Sequence, residues 1–431
     1  MRFRNAPDRE YAWSGALLFA VAIGGLKILQ ARRLQNQAFD LGIYANVLWN
    51  TAHGAWFRDS VKGVNFLGDH FSPGLAALAP LMRLWPDAAA LSVAQSAALA
   101  LGIPAAHRLA WDKTRDRTAA AGFALLYALS PLVHEASRSD VHAVAFGLPL
   151  LLWGLAVPGR GGLLALAAAG TLQEDLWLCA AAAAWSRGER RAAAGFAAAF
   201  AASLVLLRSI GGSFVPAHWG FYDPAAIAAS LASPGRLIGL ARLLLPLGGL
   251  PLLGGAASLP LLVPLGYTWL GANPHQGLLD LQYGAPLAPF AFSAAIAGWM
   301  KLRRRPAWAL PALAGLSLCW LKPYSRPLPE AKAAAAREML ALVPSAAPVA
   351  ASFNLVPRLA ARRDVRVWTP GREPDGWWLA LDASPFGYGP VALQSAEAVG
   401  ALAAAAPGRV VYAREGFVLL KPAGSFDRMG R

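Results

Sequence analysis

Acidic, imidazole and phenolic side chains recur in short motifs between apolar stretches of this chain. They are Asp40 in "QAFDLG", Asp69 and His70 in "GDHFSP", Asp140 and His142 in "SDVHAV", Glu174 and Asp175 in "QEDLW", His218 in "HWGFYD", and His275 and Tyr283 in "NPHQGLLDLQYGAP". A carboxylate can take the proton of an acceptor hydroxyl, and an imidazole or a nearby arginine can stabilise a phosphate leaving group. These residue types therefore suit an enzyme that acts on a lipid-borne polar head group.

Each motif also has a structural interpretation. Asp40 belongs to a residue type that often caps helices, here an interfacial helix. The groups of the two Asp/His motifs can satisfy each other's hydrogen bonds, or pair with Ser and backbone partners. Glu174 and Asp175 are harder to explain in this way, because two adjacent acids between apolar stretches are costly unless they are hydrated or paired. The acidic pair is therefore the strongest sign of a polar cavity.

The elements that must position these groups are membrane helices. Of the 431 residues, 56% are hydrophobic and only 15% are charged, which is typical of a polytopic membrane protein. Runs such as Trp13–Leu29 and Ala192–Leu207 are long enough to cross, or nearly cross, a hydrocarbon core. The first run lacks a clear small-residue cleavage site, so we expect it to be a span rather than a signal peptide. Cys179 and Cys319 each lie in an apolar stretch, where we expect structural thiols.

Basic residues set the predicted orientation. Lys and Arg outnumber Asp and Glu by 39 to 24, and they form short clusters between apolar runs, at 2–9, 108–117, 187–191 and 301–305. Cytoplasmic loops near helix ends are enriched in Lys and Arg, so we predict that all four clusters face the cytoplasm. The clusters follow the loops rather than one soluble face, which indicates the lipid bilayer and not nucleic acid as the partner.

The predicted fold class is an all-α polytopic membrane protein with a small C-terminal α/β domain. We predict about eleven transmembrane helices, at 11–30, 88–106, 118–134, 143–157, 161–172, 175–185, 192–210, 237–253, 256–271, 283–300 and 307–321. The short run 71–85 contains Arg83 and fits an interfacial helix on the outer surface. Strand-like and helix-like segments alternate after residue 322. The predicted domains are thus 1–322, with an outer loop at 31–87, and 323–431.

This topology places the chain in the cytoplasmic membrane, with its N-terminus inside and its C-terminal domain on the periplasmic or extracellular side. The chemical motifs then collect on the outer face. An ionisable residue at membrane depth costs roughly 2.5–3.5 kcal/mol on insertion scales, so such residues usually line a cavity or pair with one another. We therefore expect several of them to share one polar cavity.

Nucleotide-dependent chemistry has no support in the sequence. A Walker loop, a Rossmann fingerprint and a serine-nucleophile elbow are all missing from the chain, so we expect no nucleotide cofactor. The acids and histidines do not form a recognisable metal-ligand pattern, which leaves participation of a divalent metal open.

Five ordered motifs resemble a known family. "FDLGIYANVLWNTAHG", "NFLGDHFSPGLAALAPL", "SDVHAVAFGLPLLL", "QEDLWL" and "QYGAPLAPF", together with "ASFNLVPRLAARRDVRVW", are similar to the prokaryotic membrane proteins grouped as domain of unknown function 2079. That family resembles the GT-C superfamily of membrane glycosyltransferases, which use polyprenyl-phosphate sugars. The resemblance implies a multi-helix core, a large first outer loop with interfacial helices, and a terminal outer domain.

The resemblance also implies residue roles. In GT-C enzymes an Asp just after the first span is the base, and Asp40 matches that position. The chain departs from the family pattern at three positions: Ala143 replaces a Pro, Gln173 replaces a Lys, and Gln282 replaces a His. The change at Gln173 removes a cation that could contact phosphate there. Asp69, His70, Asp140, His142, Glu174, Asp175, His218 and Tyr283 are the predicted substrate-binding residues.

The leading hypothesis is transfer of a sugar from a polyprenyl-phosphate donor to a glycan, lipid or protein acceptor. Asp40 would deprotonate the acceptor hydroxyl, and basic groups would stabilise the departing phosphate. One alternative is a transporter or flippase, in which the acids form a proton or substrate path. Another is a non-catalytic protein that binds envelope glycans through its terminal domain.

Overall fold

The computed structural model of this protein describes residues 9–211, 224–231, 233–383 and 395–423. They pack as two units, the first drawn from the segments Met1–Gly24, Leu67–Leu75 and Val93–Lys322, the second from Gly25–Phe66, Ala76–Ser92 and Pro323–Arg431. The chain is mostly helical. The α-helices are α1 (Arg9–Arg32), α2 (Ile43–Ala52), α3 (Ala79–Leu84), α4 (Ala88–Ala100), α5 (Gly102–Thr114), α6 (Arg117–Ala128), α7 (Pro131–Arg138), α8 (Ala143–Ala156), α9 (Gly159–Gly170), α10 (Leu176–Ser186), α11 (Arg190–Gly211), α12 (Pro224–Leu231), α13 (Pro234–Leu244), α14 (Leu250–Leu253), α15 (Leu262–Leu270), α16 (Pro274–Leu278), α17 (Ala288–Lys301), α18 (Ala309–Ser317), α19 (Glu330–Ala341), α20 (Val356–Leu359) and α21 (Ala396–Ala405).

Four helical segments of the described chain are long and apolar enough to cross a membrane. They are Glu10–Arg32, Ala88–Thr114, Arg117–Arg138 and Arg190–Gly211. The prediction of a mostly helical fold with candidate membrane spans is confirmed, but the predicted count of about eleven spans is not. Glycine and proline break several of the predicted spans into shorter pieces.

The stretch predicted as one span at 237–253 shows how such a break arises. After α13 and a 3-10 turn that contains Pro246, the chain passes through Gly248 and Gly249, which have φ angles of 59° and 68°. Glycine adopts this left-handed conformation without the steric cost that a side chain would add. The helix therefore ends there, and α14 starts as a separate four-residue element.

Close helix packing in the first unit depends on small residues. α14 packs against α17, and a Cβ atom at Gly298 would collide with the carbonyl oxygen of Leu250.

α8, α9 and α10 pack in series. α9 has 12 residues, about 18 Å at 1.5 Å per residue, which is well short of a hydrocarbon core of about 30 Å.

Among the described residues, the second unit contains two sheets. A two-stranded antiparallel ladder pairs β1 (Arg58–Asp59) with β2 (Val64–Asn65). The larger sheet has the order β4-β3-β5-β7-β6, built from β3 (Val349–Ala351), β4 (Val365–Val367), β5 (Trp378–Asp382), β6 (Val410–Arg414) and β7 (Phe417–Leu420). β3 is parallel to both of its neighbours, β4 and β5. β7 is antiparallel to β5, and β6 is antiparallel to β7.

The five-stranded sheet has its own hydrophobic core. Trp368, Leu379, Leu381, Val399 and Leu420 pack together in it, with Val399 supplied by α21. The predicted small C-terminal sheet domain is confirmed. The same unit also contains most of the segment predicted as the first outer loop, whereas the position of that loop relative to a membrane stays a prediction.

A buried amide network joins that loop segment to the sheet domain. Asn46 of α2 donates to the carbonyl oxygens of Ala360 and Arg362, at 3.2 and 2.8 Å. The side-chain oxygen Oδ1 of Asn46 accepts hydrogen bonds from the backbone N–H and the hydroxyl of Ser60, both at 2.9 Å. The Ser60 hydroxyl also bonds the backbone of Val365. All the partners are neutral, so the network satisfies buried polar groups without burying a charge.

Arg362 is the buried cation next to this network. Its guanidinium donates to the carbonyl oxygens of Leu359, Pro344 and Ala347, at 2.8, 3.1 and 2.8 Å. Burial lowers the pKa of Arg362 to about 10, so the side chain is still protonated at neutral pH. It therefore ties the last carbonyl group of α20 to two loop carbonyl groups.

Candidate functional site

Two of the predicted motifs meet in the first unit. His70 lies in the turn before the 3-10 helix Pro73–Leu78, and Glu174 lies in the turn between α9 and α10. The His70 Nδ1 atom is 3.1 Å from Glu174 Oε1, and the Phe71 N–H donates to Oε2 at 3.0 Å. Glu174 is 2% exposed and His70 is 23% exposed. The carboxylate is thus buried and paired with an imidazole that solvent can reach.

Asp175 extends this cluster toward α15. It immediately precedes α10 and shares a hydrogen bond with Tyr267, whose hydroxyl lies 3.6 Å from Cys179 Sγ. Asp175 Oδ1 is buried and has no hydrogen-bond partner among the described residues. The acidic pair therefore sits among polar groups of α10 and α15, and its predicted place in a polar cavity stays a prediction.

The second Asp/His motif contacts the side chain of Gln95 and backbone carbonyl groups. The backbone N–H of His142 donates to Gln95 Oε1 at 2.9 Å, and Gln95 Nε2 donates to the carbonyl oxygen of Ala136 at 3.1 Å. His142 Nδ1 lies 2.9 Å from the carbonyl oxygen of Asp140. Both residues of the motif are buried. These contacts match the structural interpretation of the motif, while its predicted role in substrate binding stays a prediction. Asp69 is half-buried beside His70.

An ion network whose members were not among the predicted site residues lies on α7 and the segments facing it. Glu135 is buried and bonds Arg138 Nη2 at 2.7 Å and Lys322 Nζ at 3.0 Å. The Leu281 N–H also donates to Glu135, at 3.3 Å. Lys322 lies 4.0 Å from Asp280 Oδ2. We name Glu135, Arg138, Asp280 and Lys322 the ion network.

The loop that carries Asp280 is conformationally unusual. Leu279 and Leu281, on either side of it, have φ angles of 49° and 53°. A non-glycine residue in this region costs on the order of 1–3 kcal/mol and persists only where the surroundings impose it. His275 Nδ1 lies 2.9 Å from Asp280 Oδ1. The predicted residue Tyr283 is in the same loop, where its hydroxyl accepts a hydrogen bond from the Asn273 amide at 3.0 Å.

Two buried arginines of α13 hold the same loop. Arg236 donates to the carbonyl oxygen of Gly271 at 3.0 Å, and Arg242 donates to that of Leu278 at 2.8 Å. The Nε of Arg242 is buried without a hydrogen-bond partner in the part of the chain that the structure describes. Charged residues inside apolar runs are the signal that identifies these groups: Glu135 with Arg138, the two arginines, and Lys322 directly after a helix.

Asp40, the predicted base, lies in the second unit on a five-residue π-helix, Ala38–Gly42. Short π-helical turns are rare and are frequent at functional sites. The N-cap of this turn is Gln37 and that of α2 is Gly42, so Asp40 caps neither element. Its side chain is half-buried. His218 lies outside the described residues.

The charged side chains of the first unit lie in apolar surroundings, where they can bind phosphate or hydroxyl groups of a ligand. Arg138 and Lys322 can bind phosphate oxygens, and Glu174 and Asp175 can accept hydrogen bonds from hydroxyl groups. Among the described residues, no group of three or more His, Cys, Asp or Glu side chains is arranged to hold a metal ion.

Comparison with known proteins identifies a family. No curated protein and no solved structure matches the chain. The family model described as "Predicted membrane protein (DUF2079)" matches residues 30–170 and 196–374. These segments contain Asp40, both Asp/His motifs and the ion network, whereas Glu174 and Asp175 fall between them. Because the match covers most of its length, the chain belongs to the DUF2079 family of predicted membrane proteins.

Proposed function

We propose that this membrane protein is a GT-C-type glycosyltransferase that moves a sugar from a polyprenyl-phosphate donor to an acceptor hydroxyl, on the outer face of the cytoplasmic membrane. The observation that carries the proposal is the ion network of Glu135, Arg138, Asp280 and Lys322. Its carboxylate Glu135 is buried among apolar helices, and a charge buried there is expensive and usually serves a substrate path or a reaction.

The ion network suits a phosphate because its cations remain accessible. Arg138 and Lys322 are 24% and 43% exposed, whereas Glu135, which bonds both of them, is 3% exposed. Phosphate oxygens can replace some of the carboxylate contacts of these cations. When the sugar leaves, the donor phosphate gains negative charge, and positioned cations stabilise that developing charge more than the ground state.

The proposed reaction is an inverting displacement. The acceptor oxygen attacks the anomeric carbon, the bond from that carbon to the phosphate oxygen breaks, and the lipid phosphate leaves with the electron pair. Asp40 is proposed to take the proton of the acceptor hydroxyl. Its π-helical turn supports this role, because short π-helical turns are frequent at functional sites.

Buried acids in the first unit are proposed to bind the donor sugar. Glu174, Asp175 and His70 form a cluster whose carboxylates can accept hydrogen bonds from sugar hydroxyls. A transporter or flippase would use the same buried acids as a path across the membrane. Chemical transfer of a sugar separates these proposals, because a transporter moves its substrate unchanged.

The test is transfer of radiolabelled sugar by purified protein in nanodiscs. The donors are a panel of short-chain polyprenyl-phosphate hexoses and pentoses, and the acceptors are cell-envelope extracts from a strain that lacks the gene. We expect Asp40→Asn to abolish turnover, because the amide cannot take a proton. Asp375→Asn, at an exposed position of the same unit, is the matched control. Near-normal turnover in Asp40→Asn would overturn the catalytic role, and absence of transfer from every donor would overturn the function.

A further inference from the structure

The parallel part of the C-terminal sheet has a point where the strand order reverses. The chain runs from β3 to its neighbour β4 on one side and then crosses to β5 on the other side of β3. In open α/β sheets, ligands bind outside the carboxyl ends of the strands at such a point. The carboxyl ends of β3 and β5 are therefore the place in the second unit to look for a ligand.

Three polar residues occupy these strand ends. Ser352 and Asn354 follow β3, and Asp382 is the last residue of β5. The Asp382 N–H donates to the Ser352 hydroxyl at 2.9 Å, and the Asn354 amide donates to Asp382 Oδ2 at 2.8 Å. All three side chains are buried. They fix the backbone of the turn that carries Phe353.

The Asp40 turn packs at the same edge. Phe39 lies edge-on to Phe353, with ring centroids 5.1 Å apart. The π-helix Ala38–Gly42 packs on α20, where a Cβ atom at Gly42 would lie 3.0 Å from Val356 Cγ1. Phe39 nevertheless keeps 48% of its surface exposed. An exposed aromatic ring is thus carried by the same turn as Asp40, at the carboxyl edge of the sheet.

We propose that this edge is the acceptor site and that the acceptor is a saccharide, which deepens the proposed function and rests on it. A sugar ring presents an apolar C–H face, which fits the exposed Phe39 ring, and hydroxyl groups, one of which meets Asp40. A few placed polar groups beside an apolar surface are typical of small-ligand sites. Asn354 and Asp382 are positioning residues, because they hold the Phe353 turn against Phe39.

Saccharide binding can be measured without turnover. The protein in nanodiscs is mixed with trisaccharides of mannose, glucose and arabinose, and contacts are detected by saturation-transfer NMR. We expect at least one trisaccharide to bind, Phe39→Ala to weaken binding tenfold or more, and Phe39→Tyr to retain it. Trp56→Ala is the control, since Trp56 is a 65% exposed aromatic residue of the same unit. No trisaccharide contact, or contact that Phe39→Ala leaves unchanged, would overturn the proposal.

Transfer assays on the same variants separate this proposal from the proposed function. Binding that depends on Phe39 without transfer from any donor would keep the saccharide site and remove the glycosyltransferase. If Phe39→Ala transfers sugar with an unchanged acceptor KM, the glycosyltransferase is kept and the saccharide site at Phe39 is removed. For the positioning residues, Asn354→Ala should raise the acceptor KM and leave the donor KM unchanged. An equal loss for both substrates would instead indicate a merely structural role for Asn354.

Discussion

Two buried polar networks of this protein use different chemistry. The first unit contains an ion network, with Glu135 bonded by Arg138 and Lys322, whereas the second contains an amide network centred on Asn46. A satisfied neutral network repays the desolvation of its groups and favours one fold. A buried ion pair often contributes no more stability than an apolar substitute of the same shape. The neutral network is therefore best explained by folding, and the ion network by function.

The largest expected effect on stability comes from Glu135→Gln in the ion network. The change leaves Arg138 and Lys322 without their shared carboxylate, and breaking such a buried pair costs roughly 3–5 kcal/mol. We expect a value near the lower limit, because both cations are partly exposed. Denaturant unfolding in detergent, monitored by tryptophan fluorescence, measures the change. Glu189→Gln, where the carboxylate is 42% exposed and 4.0 Å from Arg187, should have little effect. Equal stabilities of the two variants would contradict the prediction.

Asn46→Ala should come next. It removes hydrogen bonds to the buried carbonyl groups of Ala360 and Arg362, and unsatisfied buried groups cost about 1–3 kcal/mol each, which relaxation of the loop reduces. We expect a total loss of about 2–3 kcal/mol, measured by proteolysis of the second unit under increasing urea. Asn65→Ala, at an exposed position, is the control. A protease pattern unchanged from the wild type would show that the amide network does not hold this unit together.

Lys322→Gln distinguishes function from folding within the ion network. Because Lys322 is 43% exposed, its loss should reduce stability by less than about 1 kcal/mol. Loss of a charged hydrogen bond to the donor phosphate, about 1.5–3 kcal/mol, should lower kcat/KM for the donor by roughly 10–100-fold. Lys322→Arg should restore part of the activity, and Lys113→Gln should leave it unchanged. A stable Lys322→Gln variant with normal kcat/KM would show that the ion network does not bind the donor phosphate.

The smallest effect is expected at the Arg358–Asp87 ion pair of the second unit. Its Nη1–Oδ2 distance is 2.8 Å, and both side chains are nearly a third exposed. Pairs of this kind contribute about 0.2–1 kcal/mol. Arg358→Gln should therefore lower stability slightly in 50 mM salt and hardly at all in 0.5 M salt, because salt screens exposed charges. A large loss of stability that does not depend on salt would show that this pair behaves as a buried ion pair and would contradict the prediction.

Sequence patterns predicted the second unit's sheet better than the helices of the first. Short apolar runs marked the strands near Val349 and Trp378, as is typical of strands buried on both faces, and the alternation Val-Arg-Val marked the strand near Val365. In Ala- and Gly-rich runs, apolar composition continues through helix breaks such as Gly248 and Gly249. Hydropathy alone therefore did not separate one long span from two short elements.

For the candidate site too, the sequence indicated unusual residues better than it indicated their partners. The approach of His70 to Glu174 followed motifs that could be recognised, although which motifs would pair depends on helix packing. The contacts of Glu135 with Lys322 join residues that are almost 190 positions apart. Single charges in apolar runs indicate that such residues are unusual, but periodicity does not identify their partners. Likewise, the packing of Phe39 on Phe353 depends on a long-range fold that no local pattern encodes.

The amide network has a consequence for biosynthesis. Asn46 bonds a carbonyl group 314 residues later in the chain. At roughly 5–20 residues per second, a ribosome needs on the order of 15–60 s to make the intervening segment. During that time the nascent Asp40 turn lacks the surface on which it packs, while the helices between are being synthesised. A ribosome that stops before residue 349 would release a chain with membrane helices but without a completed second unit, a natural substrate for quality-control proteases.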